Sequence, residues 1–484
     1  MKPKKNYSEK FSTLHKKKEE KEDILINGEI VKLEEHLVKD IYSGVRGNAV
    51  KILNRVERAD AYLDKLLDRE LRNSEFSGQD KALLYEIVHG VIRWMGRLDW
   101  ILSGFYKGQF SKAIPILKNA LRVALYQIMF LDKVPEYAAV NEAVEFVKKL
   151  QGQKPADITN AILRNILKSK DSLRYPDPQQ DEIGYLSTFY SHPTWIIKRW
   201  LPRFGRAATE ALLAANNERP VLTLRVNSKK VSLQEFENLL CSVNLKFVKG
   251  RYYPEFVKLT NLSNIRQWQY FTEGYFNVQD ESASLACRLL NVKPGMRVLD
   301  LCAAPGGKSA YLANLMEDTG EIIALDKFEA RLAMVEKSLQ RLAITCVKTF
   351  AVDAKEYQTD TLFDAILADV PCSGMGTLCK KPDIKWKKDL LDIRKLTETQ
   401  FKLLTKASTL VKIGGAIVYS TCTIEPEENY EVIKKFLDEN HNFSLENAQQ
   451  FVPSEAVDEN GCVQTYPHVH KMDGAFAARI IRNS

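Results

Sequence analysis

The sequence has few of the features that mark membrane, secreted or metal-binding chains. No run comes near the roughly 18 consecutive apolar residues of a membrane-spanning helix, so no membrane partner is expected. The Lys-rich start lacks the apolar block of a secretory leader, and a cytoplasmic location is expected. Eight cysteines in 484 residues show no dense spacing, the pattern of reduced thiols rather than a disulfide framework. Cys372, Cys379 and Cys422 have neither CxxC pairing nor a nearby His, and His468-Val469-His470 reads as a loop pair. No metal is expected. Neither GxxxxGKS/T nor GxGxxG occurs, which argues against a nucleoside triphosphate or dinucleotide loop. Positive charge exceeds negative by only +8, compatible with an anionic partner without requiring one. What remains is an ordinary globular composition, 45% hydrophobic and 27% charged. The length suits about two to four domains.

Residues 1–44 read as a Lys-rich extension, with eight Lys and three Glu in the first 21 positions. Such a charge run is a solvated, flexible tail or an electrostatic arm for phosphate. From 45 to 169 the pattern is helical almost throughout. Leu117, Leu121, Leu125 and Ile128 recur at three- and four-residue steps, and Pro135 and Gly152-Gln153-Lys154-Pro155 punctuate the segments. Several helices with short connections make an all-α bundle. Residues 170–190 are polar, carry two prolines and read as a linker. Residues 191–290 combine a Pro193-led helix, the strand-like LTLRVN, the amphipathic VSLQEFENLL and the extended RYYPEFVKLT. That α+β order fits an RRM-like platform, although the stacking-aromatic motif of a true RRM is missing. From 291 to 484 strands (RVLDLC, EIIALD, VKTFAV, FDAILADV, AIVYS, FAARII) alternate with helices, as in a mostly parallel sheet covered on both faces. The expected fold class is multidomain: all-α, then small α+β, then a Rossmann-like α/β domain.

The stretch from Arg297 to Ala313, RVLDLCAAPGGKSAYLA, organises the last domain. A short apolar strand ends near Asp300, Pro305-Gly306-Gly307 forces a turn, and a helix opens at Ser309. Strand, glycine turn and helix bring backbone N–H groups and a helix N-terminus up to a ligand. Asp326, Asp353 and Asp369 close the next three strands. Acids there suit the ribose hydroxyls and adenine amino group of an adenosyl ligand. Cys372 in DVPCSGMGTL and Cys422 in YSTCTIEPEEN follow apolar strands and face the same crevice, whereas Cys241, Cys287, Cys346 and Cys462 read as small buried hydrophobes.

The spelling of these segments carries further. DLCAAPGGK, DKFEAR, VDAKEY, ADVPCSGMGT, KKPDIKW, STCTIEPEEN and DGAFAARI, in that order, resemble the RsmB/Nop2/Sun RNA cytosine-C5 methyltransferases. RGNAVKILNRV, QDKALLYEIVHGVIR, VPEYAAVNEAVEFVKK and NAILRNIL look like the NusB-type RNA-binding domain at the front of the RsmB subfamily. The resemblance implies S-adenosylmethionine as cofactor, held by Cys302, Ala303, Ala304, Pro305, Gly306, Gly307, Lys308, Asp326, Asp353 and Asp369. It implies RNA, most specifically 16S rRNA, as partner. A monomer is expected. It also implies that Cys422 is the nucleophile and Cys372 the product-release residue, with Asp369 at cytosine N3. Carbon 5 of cytosine is a poor nucleophile until a thiolate adds at carbon 6, so the chemistry has a use for thiols. DNA cytosine-C5 enzymes attack with the cysteine of their PC motif instead. The roles of the two thiols therefore rest on the resemblance. Arg46, Arg93 and Arg164 are candidate phosphate contacts, and Lys385, Trp386 and Arg479 candidate contacts at the site edge. Leu378-Cys379-Lys380-Lys381 departs from the family, which often has Arg before PDIKW. A tRNA cytosine methyltransferase and a non-catalytic ribosome-assembly factor remain the alternatives.

Overall fold

The computed structural model describes residues 42–58, 63–259, 265 and 268–484, together with the backbone of two strands, β1 (Glu22–Ile26) and β2 (Glu29–Leu33). The Lys-rich tail, in the first 21 positions, lies outside the described residues. The stretch read as an extension contains a hairpin, because β1 and β2 pair antiparallel with Ile26 opposite Glu29.

The chain divides into two compact units, residues 1–175 and 176–484. The first is helical: Gly44–Arg58, Leu63–Asn73, Gly78–Phe105, Pro115–Phe130, Glu136–Gln151 and Gln153–Lys168. Ser77 caps the longest helix by accepting from the Asp80 N–H, and Pro115 opens the next, where no N–H is needed. The periodic Leu117, Leu121, Leu125 and Ile128 are all buried, as the three- and four-residue steps require. Arg122, also buried, is held by Asp99 at 2.6 and 2.7 Å and by Glu57. Arg93 is buried as well, so it is not the surface phosphate contact expected of it. Arg46 is engaged inside the unit by Gln127 at 2.7 Å and Glu142 at 2.8 Å, and Arg164 bonds Asn160 on an exposed face.

The second unit begins inside the stretch read as a linker. Asp181 caps a helix, Glu182–Phe189, by accepting from the Gly184 N–H at 2.8 Å, and Leu186 packs with Ile196, Ile197 and Trp200. The linker reading fails there because one acidic cap and one buried leucine suffice to seat a short helix. The helical stretch Thr194–Asn216 is broken at Gly205, whose φ of 73° lies outside the helical region. A small antiparallel sheet follows, with β3 (Leu222–Val226), β4 (Phe247–Lys249), β5 (Phe256–Leu259) and β6 (Phe276–Val278) in the order β4-β5-β3-β6. The helix Leu233–Ser242, opened by a Ser232/Glu235 capping box, buries Phe236 and Leu240 against it. The helix Ser282–Leu290 sits elsewhere than expected. Its Leu285, Leu289 and Leu290 share a core with Val298, Leu367 and Val418 of the following domain.

That domain is built on β7 (Arg297–Asp300), β8 (Glu321–Asp326), β9 (Val347–Ala351), β10 (Phe363–Asp369), β11 (Val411–Thr421), β12 (Phe443–Glu446), β13 (Val463–Gln464) and β14 (Phe476–Arg482). The order is β12-β14-β11-β10-β7-β8-β9, with β13 on β14. Strands β11, β10, β7, β8 and β9, the last at the sheet edge, run parallel, and β14 is antiparallel to β11. Successive residues go to opposite faces, so Val298, Ile322, Leu367 and Val418 meet one helix layer and Leu299, Ile323, Ile366 and Ile417 the other. After β9 the chain crosses to β10 on the far side of β7. The order reverses there, and ligands in such sheets bind outside the strand carboxyl ends at that point.

Candidate active site

Asp300 ends β7 fully buried and accepts from Ser309 Oγ at 2.6 Å, which ties the strand end to the first turn of the helix Gly307–Leu315. Burial pushes its carboxyl up to about 7, against the Ser309 bond, and its Oδ1 has no hydrogen-bond partner. Between strand and helix the loop turns at Gly306, whose φ is +96° and where a Cβ would come within 2.9 Å of Val335. Only glycine fits on both counts. The loop thus presents the unpaired N–H groups of a helix N-terminus. Asp326 ends β8 nearly buried, holding the Phe328 N–H at 3.0 Å and Arg331 at 3.2 Å. Asp353 lies two residues past β9, faced by Lys327 at 3.2 Å and Lys355 at 3.4 Å.

Asp369 ends β10. Lys308, from the glycine loop, donates to its Oδ2 at 2.6 Å and Ser420, from β11, to its Oδ1 at 2.7 Å. Burial works against the Lys308 charge, yet the Asp369 carboxylate beside it holds the ammonium above the ordinary lysine range. The two thiols complete the site. Cys372 Sγ and Cys422 Sγ stand 3.3 Å apart, and the Cys422 N–H also points at Cys372 Sγ at 3.3 Å. Donation from the Cys372 thiol pulls Cys422 below its ordinary value, with Lys308 and Lys381 assisting and burial and Asp369 opposing. The same hydrogen bond, with burial and the Glu428 charge, pushes Cys372 well up. Either sulfur can be the donor in that contact, and the two thiols titrate as a pair. A cleft opens beside Cys422, lined by Lys308, Ser420, Asp280, Asp473 and Ala477 among others.

Three family models match the chain in succession: the NusB family over 43–168, the RsmF/B-like ferredoxin-like domain over 192–266, and the 16S rRNA methyltransferase RsmB/F over 287–481. The probable ribosomal RNA small subunit methyltransferase B of Bacillus subtilis (strain 168) is 35% identical over 90% of this chain and 98% of its own. The chain belongs to the RsmB/F methyltransferase family. The protein of the same name from Synechocystis sp. is 34% identical, across 89% of this chain and 98% of that one. The crystal structure of PH0851 is similar over 92% of this chain and 99% of its own, with a TM-score of 0.74 and 26% identity.

Within this RsmB/F methyltransferase the expected loop residues, Cys302 to Lys308, and the strand-end acids Asp326 and Asp369 gather with both thiols around the switch point. Other expectations give way. Lys385 is 1% exposed, with its Nζ 3.3 Å from Asn217, and so cannot meet RNA at the site edge. Arg479 binds Glu446 and the carbonyls of Leu289 and Leu290, which makes it a clamp between β14 and the helix Ser282–Leu290. Cys241 is exposed, on the outer side of its helix, while Cys346 is only half-buried. His470 is buried in a short helix, Pro467–His470, and bonded to Tyr466 and Glu455. Among the described residues no group of His, Cys, Asp or Glu is placed to hold a metal ion, and no helix is long and apolar enough to cross a membrane.

Several site residues escaped sequence reasoning. Asp280 and Asp473 flank Lys380 at the cleft, the latter pair 2.8 Å apart. Glu428 and Asn429 lie buried behind the thiols. Glu428 and Asn429 close STCTIEPEEN and Asp473 opens DGAFAARI, two of the segments quoted above, while Asp280 lies in Gln279-Asp280-Glu281-Ser282, outside them.

Proposed function

We propose that this methyltransferase transfers a methyl group to carbon 5 of a cytosine in 16S rRNA, in the cytoplasm, through a covalent Cys422 adduct at cytosine carbon 6. The observation that carries the reading is the thiol pair, 3.3 Å apart, beside the Lys308–Asp369 ion pair. S-adenosylmethionine, when bound, supplies an electrophilic methyl group. The residues present fit it: a glycine turn at a helix N-terminus, an unpartnered buried oxygen on Asp300, and Asp326 at the end of the neighbouring strand. Cys422 attacks as the thiolate, which makes carbon 5 nucleophilic. As the thiolate adds, N3 takes a proton from Asp369, and Lys308 and Ser420 hold the two oxygens of the carboxylate left behind. Once the methyl is in place, Cys372, having passed its own proton to solvent, takes the carbon 5 proton as a thiolate, and the electrons of that C–H bond expel Cys422 as its thiolate. The target base leaves its stack to reach the crevice.

Denaturing gels after incubation with labelled methyl donor and rRNA test this. Cys372→Ala is expected to accumulate a protein–RNA adduct, and Cys422→Ala to form neither adduct nor 5-methylcytosine. An adduct in Cys422→Ala alone would move the attack to Cys372. Wild-type protein that labels no RNA would sink the reading altogether.

A further inference from the structure

The two thiols lie on loops 50 residues apart in sequence, and their contact needs something to set it. Two adjacent buried side chains reach one loop each. Glu428, fully buried, accepts from the Ser373 N–H at 2.7 Å and from Ser373 Oγ, and shares Gln400 Nε2 at 3.0 Å. Gln400 in turn donates to the Pro371 carbonyl at 2.9 Å, so both peptide neighbours of Cys372 are held. Asn429 brackets the other cysteine. Its Oδ1 accepts from Thr421 Oγ1 at 2.7 Å and its Nδ2 donates to the Thr423 carbonyl at 3.0 Å. A contact of 2.9 Å between Ser373 Oγ and Thr423 Oγ1 closes the circuit between the loops. We propose that Glu428 and Asn429 are positioning residues that fix Cys372 and Cys422 in contact and so make one thiol the donor and the other the nucleophile. The step beyond geometry rests on the function proposed above. The groups facing Cys422 are Cys372, Asp369, Lys308 and Lys381, and Glu428 acts on it through Cys372. Loss of the Cys372 hydrogen bond removes the largest influence that favours the Cys422 thiolate.

The test uses the full chain, reduced and free of RNA, and follows iodoacetamide labelling of Cys422 against pH by peptide mass spectrometry. In Glu428→Ala and Asn429→Ala the labelling midpoint is expected to rise by about one pH unit. The same variants are expected to lose about tenfold or more in kcat, with KM for S-adenosylmethionine within about twofold. Glu428→Gln, which keeps an acceptor for the Ser373 N–H, is expected to shift less than half as far. Folded alanine variants with a wild-type midpoint would overturn the proposal. Should they not fold, Ser373→Ala removes the side-chain bonds alone, and an unchanged midpoint there has the same force. The midpoint needs no substrate. A shifted midpoint in a protein that makes no 5-methylcytosine would sink the proposed function and leave the positioning role standing.

Discussion

Lys380 sits between two carboxylates at the cleft, Asp280 and Asp473, with side chains 30%, 11% and 15% exposed. Burial works against both acids. Lys380 and the Ser282 N–H nonetheless bring Asp280 down to about 2, while burial and the Asp280 charge push Asp473 up to about 6. The two titrate as a pair around one cation. The lowered member stabilises the fold above its unfolded value near 3.8 and loses that as pH falls toward 2. The raised member has the opposite sign, its cost appearing as pH climbs from about 4 through about 6. Lys380→Met would remove the cation that bridges the two carboxylates, leaving Lys381 to act on Asp473 alone, and push the raised member higher still. The variant should lose about 2–3 kcal/mol near pH 8 and markedly less near pH 5, where one carboxyl already holds a proton. Urea unfolding at the two pH values measures it. A loss independent of pH would show that Lys380 acts by packing alone.

At the scale of elements, the loop after Cys422 is gripped by the helix that opens at Thr194. Arg199 bonds Glu425 at 2.6 Å and Glu427 at 2.7 Å, Trp200 Nε1 donates to Glu425 at 2.9 Å, and Arg203 reaches the Ile424 carbonyl. Glu425 is 1% exposed, so its charge depends on those partners. Arg199→Ala should cost about 3 kcal/mol by stranding a buried carboxylate, and Trp200→Phe about 1–2 by removing one donor. Amide exchange should quicken over 424–429 in both, which hydrogen-exchange mass spectrometry would read. Exchange unchanged there would mean that the loop keeps its shape without the brace. This contact also marks where sequence reading stops. The glycine loop was legible because strand, turn and helix follow one another within a few residues, and the strands of the sheet because their runs are continuously apolar. Arg199 and Glu425 are 226 residues apart, and nothing local in either segment names the other. Lys385 shows the same limit from the opposite side, since a lysine in a polar motif reads as exposed until the surrounding chain folds over it.

The chain divides into two compact units, and the proposed labour divides with them. The clusters around Val298, Leu299, Trp200 and Phe236 draw all their residues from the second unit, which carries the glycine loop, the strand-end acids and both thiols. The first unit has its own buried set, from Leu84 and Val88 to Leu121, Val147 and Leu163. A fragment spanning 176–484 should therefore unfold in one cooperative transition and bind S-adenosylmethionine within about threefold of the full chain. If the NusB-like unit supplies phosphate contacts, removing it weakens rRNA binding by about tenfold or more and flattens the dependence of affinity on salt, because fewer counterions are released. Titrations at two salt concentrations separate the outcomes. Equal affinity and equal slope for fragment and full chain would place RNA recognition wholly on the second unit, and the helical front would need another role.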